Sequence, residues 1–192
     1  MYDDLLANMA RYVTLTEAAE RDLIDLVREL PLRRRQFVAQ PGFVSDTRNY
    51  VHRGALRSYF IDEDGKEHTV QIAVEDWFIS DFYSYISREP GKLFVEAMED
   101  GLLYQLPYDR IEAACRRHHC LSEYFRRTTE RAFAFSRKRV QANISMTAEE
   151  RYLAYLARYP DIAQRVPQYV IASYLGMSPE FLSKIRSKLA QP

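Results

Sequence analysis

PQYVIASYLGMSPEFLSKIRSKL, residues 167–189, decides the reading of this chain. Gly176 is its reference point, because a sharp turn between two helices needs a residue that enters the left-handed region freely. Four residues earlier stands Ala172, small enough to let two helices cross closely. Ile171 and Leu175 before the glycine, and Met177, Leu182 and Ile185 after it, are spaced to build a small shared core. Ser178-Pro179-Glu180 is a helix start: a capping hydroxyl, a proline whose missing N–H costs nothing in the first turn, and an acid at the positive dipole end. The pattern predicts a helix-turn-helix. Its second helix presents Glu180, Ser183, Lys184, Ser187 and Lys188 on one polar face, with Phe181, Leu182, Ile185 and Leu189 expected opposite.

The helix before this unit is marked equally well. Thr147, followed three residues later by Glu150, is a capping box, and Pro160 stops the helix that it opens. Further upstream, Leu121 to Ile144 contains neither Gly nor Pro. Leu121, Phe125, Thr128, Ala132, Phe135 and Ala142 follow one heptad stripe, interrupted by Arg139. Tyr124, Phe133, Val140 and Ile144 form a second stripe. A helix apolar on two faces is expected to pack on its own chain with one and on a second copy with the other. Asp109–Arg117 predicts a short helix before it.

Five of the six glycines lie between residues 42 and 101, so the middle of the chain is punctuated for turns. Strands are predicted at Gln36–Ala39, Tyr50–Arg53, Ala55–Ile61, His68–Ala73, Leu93–Met98 and Leu102–Pro107, with Asp62-Glu63-Asp64-Gly65 as a hairpin turn. Short strands with close turns imply an antiparallel sandwich or barrel. Near the N-terminus, Thr16 caps a helix carrying Leu23, Ile24, Leu26, Val27 and Leu30, which Pro31 is expected to end. The fold class is therefore α+β. An N-terminal antiparallel sandwich or barrel flanked by helices is followed by a long helix and a helical helix-turn-helix domain.

Charge follows the same division. The 192 residues carry 27 Lys and Arg and 27 Asp and Glu, but residues 1–115 hold 13 and 21 of these, and residues 116–192 hold 14 and 6. A basic C-terminal part points to a polyanion partner. No apolar run reaches the roughly 20 residues of a membrane helix. The start Met1-Tyr2-Asp3-Asp4 is unlike a secretory signal, and two cysteines fit a reducing cytoplasm. No phosphate loop, dinucleotide fingerprint, His-Glu-x-x-His or nucleophile elbow is present, so no enzyme activity is expected. Cys115, His118, His119 and Cys120 point in different directions on a helix, and neither a metal nor a cofactor is expected.

These features together resemble the Crp/Fnr transcription regulators over nearly the whole chain. YVHRGALRSYFIDEDGKEHTVQIAVEDWFISD and RVPQYVIASYLGMSPEFLSKIR are similar to the branch common in Bacteroidetes. The resemblance implies a cyclic-nucleotide-binding-type antiparallel jelly roll over 1–120, a dimerisation helix over 121–146 and a helix-turn-helix DNA-binding domain over 147–192, acting as a homodimer through the Leu121–Ile144 helix on palindromic double-stranded DNA. RNA polymerase and an unidentified small-molecule effector are further implied partners. In the helix-turn-helix, Gln168, Tyr169, Ser178, Pro179, Glu180, Ser183, Lys184, Arg186, Ser187 and Lys188 are the candidate DNA-binding residues. Glu180 is placed to accept from a cytosine amino group and Lys184 to donate to guanine. Arg165, Arg186 and Lys188 suit phosphates.

The likeness has gaps. Nucleotide-binding members carry Gly-Glu followed by Arg-Ser or Arg-Thr in a phosphate cassette. Here Ser80 and Asp81 stand in place of Gly-Glu, and Lys92 and Leu93 in place of the later pair. An anion beside a phosphate site, with no bidentate arginine, disfavours cyclic nucleotide. Ser80, Asp81, Phe82 and Lys92 remain the candidate pocket for some other ligand. The aromatic residues Trp77, Phe78, Phe82, Tyr83 and Tyr85 either fill the roll or wall a pocket. Flanking wing strands have little room. The competing reading is a small-molecule sensor whose helix-turn-helix serves protein contacts.

Overall fold

The structure is a computed structural model that describes residues 2–189. Met1 and residues 190–192, the last of the predicted DNA-binding domain, lie outside the described residues. Two helices, α1 (Asp3–Ala10) and α2 (Glu17–Leu26), lead into the strands. The strands are β1 (Arg28–Leu32), β2 (Phe37–Ala39), β3 (Thr47–Arg53), β4 (Leu56–Ile61), β5 (Glu67–Ala73), β6 (Phe78–Ile79), β7 (Phe94–Ala97) and β8 (Gly101–Pro107). A short helix α3 (Phe82–Ser87) separates β6 from β7. Then follow α4 (Tyr108–Arg117), α5 (His119–Ser145), α6 (Ala148–Arg158), α7 (Pro160–Arg165), α8 (Gln168–Tyr174) and α9 (Pro179–Leu189).

The strands form two four-stranded antiparallel sheets, ordered β1-β8-β3-β6 and β2-β7-β4-β5. Their inward residues, among them Leu32, Val51, Leu56, Ile79, Val95 and Leu103, make the core between the sheets. Alternation along each strand sends the neighbouring residues the other way. Tyr50, Tyr104 and Leu106 therefore face outward, against Leu5, Met9, Leu23, Ile111, Leu121 and Tyr124 of the helices. On the second sheet, Ile72 and Val74 face outward and join the core of α6–α9. The C-terminal helices thus share a core with the roll.

The sequence reading does not predict α1, β6, α3 or α7, and at one place it assigns the wrong element. The helix opened by Thr16, whose hydroxyl accepts from the Ala19 N–H at 3.2 Å, stops at Leu26, and residues 28–32 form β1. Leu30 belongs to that strand and pairs with Leu103. Pro31 is tolerated because β1 is an edge strand, where one missing donor leaves no gap in the ladder. The Asp62–Gly65 turn forms as predicted: the Asp62 N–H donates to the Lys66 carbonyl and the Gly65 N–H to the Asp62 carbonyl, both at 3.0 Å. Thr147 and Glu150 make the reciprocal capping box.

Candidate functional site

The helix-turn-helix is formed by α8 and α9. Gly176 has φ +72°, and a Cβ built there meets nothing within 4 Å. Its requirement is therefore conformational rather than steric. The Met177 N–H returns to the Ala172 carbonyl at 3.0 Å, closing the turn. Val170, Ile171, Ala172, Met177, Leu182 and Ile185 are buried. The Ser178 hydroxyl accepts from the Phe181 N–H at 3.2 Å, capping α9. Glu180 bonds its own backbone N–H and the Ser178 hydroxyl, which hold its carboxyl below the usual range.

The outer side of α9 is open. Pro179, Glu180, Ser183, Lys184, Arg186, Ser187 and Lys188 are all exposed. Lys188 pairs with Glu149 of α6 at 2.7 Å. Phe181 and Leu189, expected on the buried side, are half-exposed, because Leu182 and Ile185 alone occupy the narrow contact with α8. At the start of α8, Gln168 is half-buried and its amide reaches the Ala163 carbonyl at 3.5 Å. Tyr169 turns its ring beneath the guanidinium of Arg57, 5.5 Å away, so it meets the roll as well as solvent.

Contacts from the roll set the unit's orientation. The Ser173 hydroxyl accepts from the Thr69 N–H at 2.8 Å and donates to the Glu67 carbonyl at 2.9 Å, so α8 lies along β5. Arg139 of α5 donates to the Val70 carbonyl and stacks over Tyr174 at 4.8 Å. The apparent interruption of the heptad stripe is thus a tie between helix, roll and α8. Arg165 of α7 pairs with Glu75 at 2.8 Å and with Glu99, and the guanidinium pushes the Glu75 carboxyl down to about 2. Trp77 meets Tyr159 edge to face at 5.7 Å. Arg165, expected from the sequence to suit a phosphate, has its fork held by two carboxylates. None of these ties has a short-range sequence signal; Arg139, breaking an apolar stripe, is the nearest to one.

Along α5, Leu121, Tyr124 and Phe125 are buried. Tyr124 belongs to the chain's own core, with its hydroxyl donating to Asn8 Oδ1 at 2.7 Å. It therefore leaves the second stripe. Phe133, Val140 and Ile144 stay on that stripe and are 66%, 48% and 82% exposed.

The cassette region is closed by its own side chain. Asp81, 3% exposed, caps α3 by accepting from the Ser84 N–H at 3.2 Å. Its other oxygen accepts from the Lys92 and Leu93 N–H groups at 2.9 and 3.0 Å. A Cβ on Gly91 would lie 2.5 Å from that oxygen. Backbone donors converging beside a glycine are what an anion requires, and here the anion is Asp81. Ser80 is buried, its hydroxyl donating to the Thr47 carbonyl at 2.9 Å and accepting from the Asn49 amide. The Lys92 side chain and much of Phe82 face solvent. Of the other aromatic residues, Tyr85 is buried, Tyr83 is exposed, and Phe78 packs against Tyr50 and Phe125. The four predicted pocket residues are neighbours, but the Ser80 hydroxyl and Asp81 carboxylate are spent on backbone groups and Asn49, and the Lys92 ammonium faces away into solvent. Arg48, which the sequence did not single out, places its guanidinium 4.7–5.1 Å from the rings of Phe82, Tyr85 and Phe125. That cation joins the cassette helix to α5.

His118, considered as a ligand, instead pairs with Asp22 at 2.8 Å. His52 and His68 pair with Asp4 and Asp62. No grouping of His, Cys, Asp and Glu suited to a metal occurs among the described residues. No helix there is long and apolar enough to cross a membrane.

Solved structures share this architecture. FixK2 from Bradyrhizobium japonicum superposes with a TM-score of 0.75 at 19% identity, over 85% of this chain and 84% of its own. The c-di-GMP-responsive global regulator CLP of Xanthomonas campestris gives 0.70 at 14%, over 91% of each. A Crp/Fnr-family transcriptional regulator from Thermus thermophilus gives 0.61 at 18%, over 85% of this chain and 86% of its own. Neither a protein-family model nor a curated protein matches the chain by sequence. At these identities the likeness shows the fold, an α+β roll followed by a long helix and a helix-turn-helix, as in Crp/Fnr regulators.

Proposed function

We propose that the chain is a sequence-specific DNA-binding transcription regulator of the Crp/Fnr type, without enzymatic activity. It acts as a homodimer on palindromic DNA, and its roll has lost cyclic nucleotide binding. The observation that carries this reading is α9: a capped helix with two anchors buried and seven polar or small groups from Pro179 to Lys188 open to solvent. That is the surface a major groove accepts. Glu180 and Lys184, in the N-terminal half, read base edges. Arg186 and Lys188, with Gln168 and Tyr169 at the start of α8, bind the backbone. The exposed Phe133, Val140 and Ile144 support pairing of two α5 helices. Domain roles follow: residues 1–120 form the sensor-derived roll, 121–146 the dimer helix and 147–192 the DNA-binding domain. Loss of nucleotide binding rests on Asp81, whose carboxylate uses the backbone donors that a phosphate would need.

The test is selection of bound sites from a random duplex library with the ligand-free full chain at near-physiological salt. Recovery of a palindrome with half-sites about one turn apart (~34 Å) supports the reading. Weak binding driven only by salt, with no motif, supports a helix-turn-helix that serves protein contacts instead.

A further inference from the structure

Arg48 is a half-buried cation without an acceptor. It stands in β3 two residues before Tyr50, so strand alternation sends both side chains outward from the roll. There its guanidinium lies 5.1 Å from the ring of Phe82 and 4.7 Å from those of Tyr85 and Phe125, between α3 and α5. A guanidinium is a fork of N–H donors. Among the described residues Arg48 forms no ion pair and donates no hydrogen bond, and its Nε is buried. The rings attract the charge, but they leave the donors at the edge of the fork unpaired.

A second unpaired group stands beside it. Tyr85 is 1% exposed, and its hydroxyl has no hydrogen-bond partner. Burial pushes that hydroxyl's pKa up, against the pull of the Arg48 charge, so the phenol keeps its proton. Another cation borders the cluster: Arg88 stacks over Tyr108 at 4.2 Å, and Tyr108 meets Tyr85 edge to face at 5.0 Å. Glu112 of α4 is the carboxylate whose charge bears on Tyr85, and it does not pair with Arg48. A buried donor without an acceptor costs free energy, and here two of them converge. Phe82 is 37% exposed, so the fork is reached from solvent along that ring.

We propose that Arg48 and Tyr85 form a binding site for a small organic carboxylate. The fork matches the two oxygens of a planar carboxylate, the Tyr85 hydroxyl gives a third hydrogen bond, and Phe82 and Phe125 flank the apolar body of the acid. A phosphate monoester fits worse: it brings three acceptor oxygens and a second charge, which the nearby Glu112 opposes. The site lies on the outer face of the first sheet. It is separate from the backbone donors that Asp81 occupies, and it does not depend on DNA binding.

The test titrates the full chain with benzoate by calorimetry, with benzamide as the uncharged counterpart and inorganic phosphate as the competing anion. Benzoate should bind saturably, with a dissociation constant on the order of 1 mM, and benzamide should not. Arg48→Met keeps an apolar stem and removes the fork, and should weaken benzoate binding on the order of tenfold or more. Tyr85→Phe should weaken it severalfold with an unchanged urea midpoint, because the hydroxyl it removes has no partner within the chain. Benzoate should also raise the urea midpoint of the wild type and not that of Arg48→Met, whereas a general salt effect moves both alike. If Arg48→Met does not fold, Tyr85→Phe decides by the same measure. Absence of saturable binding to the wild type would overturn the proposal, as would benzoate affinity that neither variant changes. Phosphate binding more tightly than benzoate would overturn the carboxylate assignment.

Discussion

The cassette around α3 and the turn before α9 begin alike and end differently. Each is a helix start capped by a short polar side chain, Asp81 in one and Ser178 in the other. Asp81 goes on to accept two more backbone N–H groups from Lys92 and Leu93, and Gly91 gives it room. Every donor that converges there is used within the chain. Ser178 satisfies the end of α9 and leaves the following side chains pointing into water. The same capping chemistry therefore closes one site and opens the other. The difference lies in whether a second segment brings its own backbone donors to the cap. Polar residues mark a binding surface only where their partners are missing.

This contrast can be broken most forcefully at Asp81. Asp81→Ala leaves three backbone N–H groups without an acceptor, and urea denaturation should show a loss of about 3–5 kcal/mol. A loss under ~1 kcal/mol would mean that water replaces the carboxylate and that the cassette is not closed. Gly91→Ala should cost about 1–3 kcal/mol by overpacking. The cost should shrink in the Asp81→Ala background, since the close contact at 2.5 Å is with the carboxylate itself. A double-mutant cycle with no coupling would place the strain elsewhere.

At the open site, Lys184→Ala should leave stability within about 0.5 kcal/mol of the parent. It should reduce discrimination at one base pair by roughly 1–3 kcal/mol in competition binding. Equal loss on all sequences would make Lys184 a phosphate contact. The smallest effect concerns the tie between roll and α7. Glu75 is held at about 2 in the folded chain, so its contribution is fully present above the unfolded value of 4.5 and is lost as pH falls toward 2. Trp77, packed on Tyr159 beside this pair, should report the loosening as a fluorescence change in that window. Glu75→Gln should move or remove it.

Local chemistry was legible in the sequence. The Gly176 turn, the Thr147–Glu150 box, the Asp62–Gly65 hairpin and the limits of the long helix are each set by residues within a few positions of one another. The roll's strands were legible from glycine spacing, except the two-residue β6 and β1, where Pro31 looked like a helix stop and is an edge-strand residue. What the sequence hid depends on distant partners. Ser173 bonds to Thr69 across 104 positions. Tyr124 is grouped with Phe133 and Ile144 in the sequence reading, but helical spacing puts it on the opposite side of α5, where its hydroxyl meets Asn8, 116 positions away, in the core. Asp81 was legible as a misfit anion but not as the occupant of the cradle, because the donors arrive from residues 92 and 93.

The most direct test of a closed cassette and an open α9 is the affinity of the full chain for its selected operator, measured with and without saturating cyclic AMP or cyclic GMP. The account predicts tight, sequence-specific binding by the ligand-free protein, unchanged within about twofold by either nucleotide. Tightening by tenfold or more, about 1.4 kcal/mol of coupling, would show that the nucleotide displaces Asp81 from its donors and would contradict it.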